Sequence, residues 1–199
     1  MGHRKRVRHY DEPGHLHELT FSCYGRLPLL TNDRWRAMLS ICIDRAIARH
    51  HFGLAAFVYM PEHVHLLVWP KEPDARIHRL LKGIKQPLSH RVRTILDEQR
   101  SRLRERLTVQ ERPDKTVFRF WQEGGGYDRN LTGPESAQAS IDYLHLNPVR
   151  RSLVTEASHW RWSSYRWFES EGRQSDEALP KLESLPSWFW DATRENAIG

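Results

Sequence analysis

Cysteine is scarce in this 199-residue chain: only Cys23 and Cys42 are present, both inside apolar patterns. That excludes a disulfide framework and a cysteine-based zinc site, and reads as two reduced core thiols of a cytosolic protein. Long hydrophobic runs are missing too. None approaches the ~20 residues needed to cross a bilayer. The charged N-terminal stretch Met1-Gly2-His3-Arg4-Lys5-Arg6-Val7-Arg8 is followed by no apolar signal core, so no membrane and no export are expected, and the location is expected to be cytoplasmic, associated with the nucleoid. Internal repeats are absent, which excludes a solenoid. Acidic residues are in the minority, 25 Asp and Glu against 31 Lys and Arg, for a formal charge of +6. A basic balance suits an anionic polymer as partner, although it carries no information about fold.

The excess is uneven. Residues 76–106 hold ten basic and three acidic side chains, whereas residues 169–199 hold three basic and seven acidic ones. The length suits one domain, and 39% hydrophobic content is enough for a core. Three segments are expected: a basic arm over 1–12, a domain over 13–168, and an acidic, tryptophan-rich tail over 169–199.

The most informative stretch is Met60-Pro61-Glu62-His63-Val64-His65-Leu66-Leu67-Val68-Trp69. It has strand character, and residues i and i+2 of a strand share a face. His63 and His65 therefore project together, while Val64, Leu66 and Val68 face apolar packing. Neutral imidazoles suit divalent transition ions, so the pair is half of a metal site. Glu62 is expected on the opposite face from His63 and is not assigned as a ligand.

Around this stretch the periodicity predicts strand (Leu16 to Tyr24), helix (capped by Thr31 or Asn32, with Trp35, Met38, Leu39, Cys42 and Ala46 as its apolar face), strand (Leu54 to Met60), the histidine strand, helix (Ile77, Leu80, Leu81, Ile84, Leu88, kinked at Pro87) and strand (Val117 to Trp121). The two central strands are expected to form an antiparallel hairpin. The order β-α-β-β-α-β fits an α+β, ferredoxin-like sandwich. After the loop Gly124-Gly125-Gly126, a further helix is expected from about Pro134 to Asn147, closed by Pro148.

That late helix carries Tyr143 and Asn147, four residues apart and so on one face. Asn147 offers an amide oxygen as a third ligand. Tyr143 offers a phenol, a nucleophile once its proton is lost. Tyr127 and Tyr165 are rival nucleophiles, and Tyr127 is weighed instead as a residue that stacks on DNA or packs. His145 is read as a surface residue.

His63-Val64-His65 resembles the paired histidines of the HUH nucleases. Tyr143-Leu144-His145-Leu146-Asn147-Pro148-Val149-Arg150-Arg151 resembles the catalytic-helix signature of the REP-associated tyrosine transposases, single-tyrosine relatives of insertion-sequence transposases. Phe120-Trp121-Gln122 and Trp160-Arg161-Trp162-Ser163-Ser164-Tyr165 are similar to that family as well, so the resemblance spans roughly residues 14–168. The triple-glycine loop with Tyr127-Asp128 departs from it.

The resemblance implies an HUH fold with an added catalytic helix, a divalent metal (Mg2+ or Mn2+) on His63, His65 and Asn147, and Tyr143 as nucleophile. It implies cleavage and rejoining of single-stranded DNA at hairpins formed by repeated extragenic palindromes, through a 5′-phosphotyrosine. DNA contacts are expected from Arg4, Lys5 and Arg6 of the arm, from Arg79, Lys82, Lys85 and Arg91 of the basic helix, and from Arg150. The stretch Trp160 to Phe168 either stacks unpaired bases or, the stronger reading, wraps onto the core. A monomer is expected, with a dimer as the other state. The alternative reading is a hairpin-binding protein with no chemistry.

Overall fold

The computed structural model describes residues 15–174, 176–187 and 189. Arg4, Lys5 and Arg6, and with them the expected basic arm, lie outside these residues. The central sheet has four strands: β1 (Leu16–Ser22), β2 (Phe52–Tyr59), β3 (His63–Pro70) and β6 (Tyr127–Leu131), in the order β2-β3-β1-β6 with every pair antiparallel. Helices α1 (Asp33–His50) and α2 (Ile77–Glu98) follow β1 and β3. With them the sheet makes the expected ferredoxin-like arrangement.

Local chemistry accounts for the elements. Asn32 caps α1, its side chain accepting from the Trp35 N–H at 3.2 Å. The helix ends at His51, which takes a left-handed conformation. Ile77, Leu80, Ile84, Leu88 and Val92 place the apolar stripe of α2 against α1 and one sheet face, where they meet Phe21, Leu66 and Val68. Each such fully buried aliphatic contributes roughly 1.5–3 kcal/mol. Helix α2 runs unbroken through Pro87, which sits on its exposed side.

The other sheet face is covered by α4 (Pro134–Arg150), whose Ile141 and Leu144 pack on Val58 and Leu67. With both faces covered, β2 and β3 are buried along their whole length, as their continuous apolar sequence requires. Gly53 faces Trp69 across the β2–β3 pair, and a Cβ there would meet the indole at 2.1 Å.

Two expectations are corrected here. The stretch Val117 to Trp121 is not the fourth strand. Residues Lys115–Phe118 (β5) pair instead with Thr108–Arg112 (β4) in a separate hairpin that follows the short α3 (Arg102–Arg106), and only Trp121 bridges to Cys23. The fourth strand is β6, reached through the glycine loop. Gly126 has φ +82°, and a Cβ on it would meet the Thr20 carbonyl oxygen at 2.1 Å, so only glycine lets the chain lie this close to β1 before turning into β6.

Nor does Pro148 close α4. The helix continues to Arg150, because a proline in the last turn forgoes a single backbone bond and the chain then closes through Arg151 N–H to Asn147 O at 3.0 Å. Asn147 therefore stays helical.

The segment after α4 seals the outer edge of β2. Tyr59 N–H donates to Trp162 O at 2.9 Å, Ser164 N–H to Phe57 O at 3.0 Å and Glu183 N–H to Leu54 O at 2.9 Å. Trp162 is buried against Tyr59, and the Trp160 indole N–H reaches the Tyr59 carbonyl at 3.1 Å. The aromatic stretch around α5 (Tyr165–Glu169) thus guards a sheet edge, the packing role rather than base stacking.

Candidate active site

Register places the site. On β3, His63 lies opposite Ser22 and His65 opposite Thr20, and their side chains lie on the sheet face that α4 covers. Their Nε2 atoms are 3.0 Å apart. From α4, the Asn147 Nδ2 stands 3.3 Å from His65 Nε2, and the Tyr143 ring lies edge-on to the His65 ring with centroids 5.8 Å apart. Residues 82 positions apart in sequence therefore share one pocket. Tyr143 is 42% exposed, while both histidines and Asn147 are buried.

Each imidazole is held from behind. Glu62 Oε1 is 3.1 Å from His63 Nδ1. A carboxylate only accepts, so Nδ1 donates and His63 Nε2 carries the lone pair. Thr20 Oγ1 is 2.9 Å from His65 Nδ1, with Glu18 Oε1 at 3.7 Å. Glu18 is fixed in turn by the Ser140 hydroxyl at 2.9 Å, and Glu62 by Arg151 at 2.9 Å and Arg26 at 3.4 Å. Glu62 therefore does reach His63, contrary to the strand-face expectation, because it sits in the turn before β3, where alternation does not yet apply.

Electrostatics follow from burial and these contacts. Burial, helped by the neighbouring His65, pulls the His63 imidazole down to about 4 despite Glu62, so it is neutral at physiological pH. Burial alone would raise the Glu62 carboxyl, but Arg151 and His63 outweigh it and hold it below the usual range. Glu18 is held low in the same way, by His65, Ser140 and the charge of Arg129 against burial.

The residues fit a divalent ion. Two imidazoles bound at ~2.1 Å at right angles stand about 3.0 Å apart, the separation found here. Each Nδ1 has an oxygen partner, the Glu62 carboxylate for His63 and the Thr20 hydroxyl for His65, the usual support of metal-bound histidine. Among the described residues no group of three or more His, Cys, Asp or Glu is arranged to hold a metal; the Asn147 amide, 3.3 Å from His65 Nε2, is a neighbouring side chain that could add an oxygen donor after an amide flip.

The other candidate residues fall in several places. Arg150 sits over the Tyr143 ring at 5.2 Å. Arg79, Lys82 and Arg91 are exposed on α2, across the sheet from the histidines. Lys85 is half-buried, its ammonium donating to Gly124 O at 2.8 Å and Gln122 O at 3.3 Å above the Phe21 ring. It ties down the glycine loop instead of facing solvent. His145 is corrected from surface to core: it is buried against Tyr165 and Phe168, its Nε2 2.8 Å from Ser164 Oγ, and burial pulls it down to about 4. The segment covering that side of α4 lies 20 residues on, and no local signal announced it.

Sequence reading missed Glu18, Thr20, Ser140, Arg129 and Arg151. For Glu18 a signal existed, since a carboxylate within an otherwise apolar strand demands a partner. Cys23 and Cys42 are free and buried in the core, as expected. No helix among the described residues is long and apolar enough to cross a membrane.

Residues 15–112 match the family model described as "Transposase IS200 like". Among solved structures, a REP-associated tyrosine transposase bound to a REP hairpin superposes with a TM-score of 0.67 at 18% identity, covering 92% of this chain and 95% of that one. A candidate transposase from Deinococcus radiodurans R1 is 19% identical over 72% of this chain and 97% of that one, with a TM-score of 0.43. No curated protein matches. This chain is thus similar to the IS200-like transposases over residues 15–112, the part that carries the histidine strand, and shares the fold of the REP-associated tyrosine transposase over nearly its whole length.

Proposed function

We propose that the protein is a divalent-metal-dependent transesterase that cleaves and rejoins single-stranded DNA beside hairpins of the repeated-palindrome type, with Tyr143 as nucleophile. The observation that carries this reading is the Tyr143 ring edge-on to His65 of the same chain, with centroids 5.8 Å apart. A magnesium or manganese ion held by His63, His65 and the Asn147 amide oxygen supplies, when bound, Lewis-acid polarisation of a non-bridging phosphate oxygen.

The chain's own groups do the rest. Glu62 and Thr20 hold the two imidazoles in orientation, with their Nε2 atoms facing each other. Tyr143 attacks phosphorus, so an Oη–P bond forms and the P–O3′ bond breaks. The phenol's proton is accounted for by the departing 3′-hydroxyl. The strand is left as a 5′-phosphotyrosine, and attack by another 3′-hydroxyl reverses the step without a nucleotide cofactor. Arg150 brings positive charge to the phosphate beside Tyr143. Arg79, Lys82 and Arg91 offer phosphate contacts on the far face, for duplex beyond the cleaved strand. That nucleophile and imidazoles meet within one chain supports a monomer as the acting unit.

The test is a labelled single-stranded hairpin incubated with protein and manganese, then run on a denaturing gel. A covalently shifted band is expected from the native chain and none from Tyr143→Phe, which still binds the hairpin. His63→Ala is expected to lose manganese-dependent cleavage. An adduct formed by Tyr143→Phe would overturn the assignment. Absence of any adduct from the native chain would leave the non-catalytic hairpin binder.

A further inference from the structure

Beside the histidines, between β6 and α4, lies an open cavity of about 430 Å3, whose β6 side, with Tyr127 and Arg129, takes no part in the chemistry above. Its walls include Glu18, His65, Tyr127, Arg129, Ser140 and Tyr143. We infer that this cavity is a nucleobase pocket, in which Tyr127 stacks on a base flanking the scissile phosphate while Glu18 and Arg129 read that base's edge. The inference rests on the single-strand cleavage reading and names the part of the substrate which that reading leaves open.

Strand register sets the geometry. His65, Thr20 and Tyr127 form one row across β3, β1 and β6, since Thr20 pairs with both. Neighbouring strands lie about 4.8 Å apart, so the Tyr127 backbone is about 10 Å from that of His65. A strand whose phosphate sits between Tyr143 and the histidines therefore brings an adjoining base over the next two strands.

Tyr127 is the most exposed large apolar residue among the described residues, at 57%. It lies on an edge strand with nothing to gain in the core. A planar ring beside a phosphate-binding centre is what base stacking requires, because every base offers a π-face.

The polar groups define the edge. Glu18 pairs with Arg129 one row along, so both face the cavity. The Glu18 carboxylate is nearly buried, with one oxygen taking the Ser140 hydroxyl and the other 3.7 Å from His65 Nδ1. As an acceptor only, its remaining lone pairs suit an exocyclic amine. The exposed Arg129 guanidinium donates only, and suits the carbonyl or ring-nitrogen acceptors of the same edge. Cytosine, adenine and guanine carry such an amine and thymine does not, so thymine is the disfavoured base.

The experiment uses the full chain with a DNA hairpin whose flanking single strands are randomised, in manganese, followed by sequencing of the covalently captured strands. The native chain is expected to deplete thymine about fivefold or more at one of the two nucleotides flanking the junction. Tyr127→Ala is expected to flatten the profile at that nucleotide only and to raise KM about tenfold with little change in kcat, whereas Tyr127→Phe keeps both. Tyr127→Leu, which fills space without stacking, is expected to behave like Tyr127→Ala. Thermal unfolding of each variant checks that the fold is intact. A Tyr127→Ala profile identical to the native one at both flanking nucleotides would overturn the pocket while leaving Tyr143 chemistry standing.

If the native chain captures no strand, the cleavage reading fails and the pocket is judged by binding. Fluorescence anisotropy with labelled five-nucleotide dC and dT strands is then expected to show about tenfold weaker dC binding for Tyr127→Ala than for Tyr127→Phe. Equal affinities would overturn it.

Discussion

Glu62 reaches His63 from the turn that precedes its strand: Oε1 stands 3.1 Å from Nδ1 and takes Arg151 at 2.9 Å through the same oxygen. The imidazole is thereby fixed in rotation and tautomer, with its lone pair on the atom that faces His65. Arg151 comes from the residue after α4, so the helix bearing Tyr143 and the strand bearing the histidines are fastened together through Glu62.

Glu62→Ala removes that support. Loss of a carboxylate behind a metal-bound histidine costs on the order of 10–100-fold in metal affinity. The manganese concentration for half-maximal adduct formation is expected to rise by that factor, with the rate restored at saturating manganese. An unmoved midpoint would show that Glu62 only holds the turn.

Lys85 and Arg150 were both expected to meet DNA, yet only Arg150 is exposed near the nucleophile. The slope of log affinity against log salt is expected to fall by about one for Arg150→Ala. Lys85→Ala is expected to leave the slope unchanged and to lower the melting temperature instead, since its ammonium serves the carbonyls of Gln122 and Gly124. Hairpin binding measured from 50 to 300 mM salt, with a thermal melt, separates the two.

Burial pushes the Cys23 thiol up to about 12 and raises the Cys42 thiol as well. For an acid raised in the folded state, the unfolded chain ionises first. The Cys23 contribution therefore erodes stability as pH rises from 9 towards about 12 and has no effect below that window. Iodoacetamide labelling of Cys23 at pH 8 is expected to be about a thousandfold slower in the folded protein than in urea, since the thiolate is the nucleophile. Comparable rates, followed by mass spectrometry, would mean the thiol is not buried as described.

Gly53→Ala is expected to destabilise the fold by about 1–3 kcal/mol or more, because the added methyl overlaps the Trp69 indole and that ring is packed at 4% exposure. Urea denaturation measures it. Gly124→Ala, at a position with open space around it but φ +103°, is expected to cost through backbone strain alone.

Much of this molecule was legible in one dimension. Alternation around His63 and His65 placed two imidazoles on one face, and β3 carries them there. The i, i+4 spacing put Tyr143 and Asn147 on one side of a helix, and α4 keeps it. The helix stripes of α1 and α2 were readable because burial on one side imposes a 3.6-residue period. The polar strand Tyr127–Leu131 was not readable. As an edge strand it buries only Leu131 fully, so it carries no apolar period to betray it. The more regular Val117 to Trp121 took its place in the reading, although its partner is a neighbouring hairpin strand.

Sequence alone thus determined the repertoire of groups, the period of each element and the faces that histidine, tyrosine and asparagine occupy, because those follow from backbone geometry within a few residues. Which faces meet was decided only in three dimensions. Pairings such as Glu18 with Ser140, Thr20 with His65, Arg151 with Glu62 and Tyr127 beside the histidine row join residues tens of positions apart. They come from strand order and helix docking, which depend on the packing of the whole core and leave no local trace in the chain.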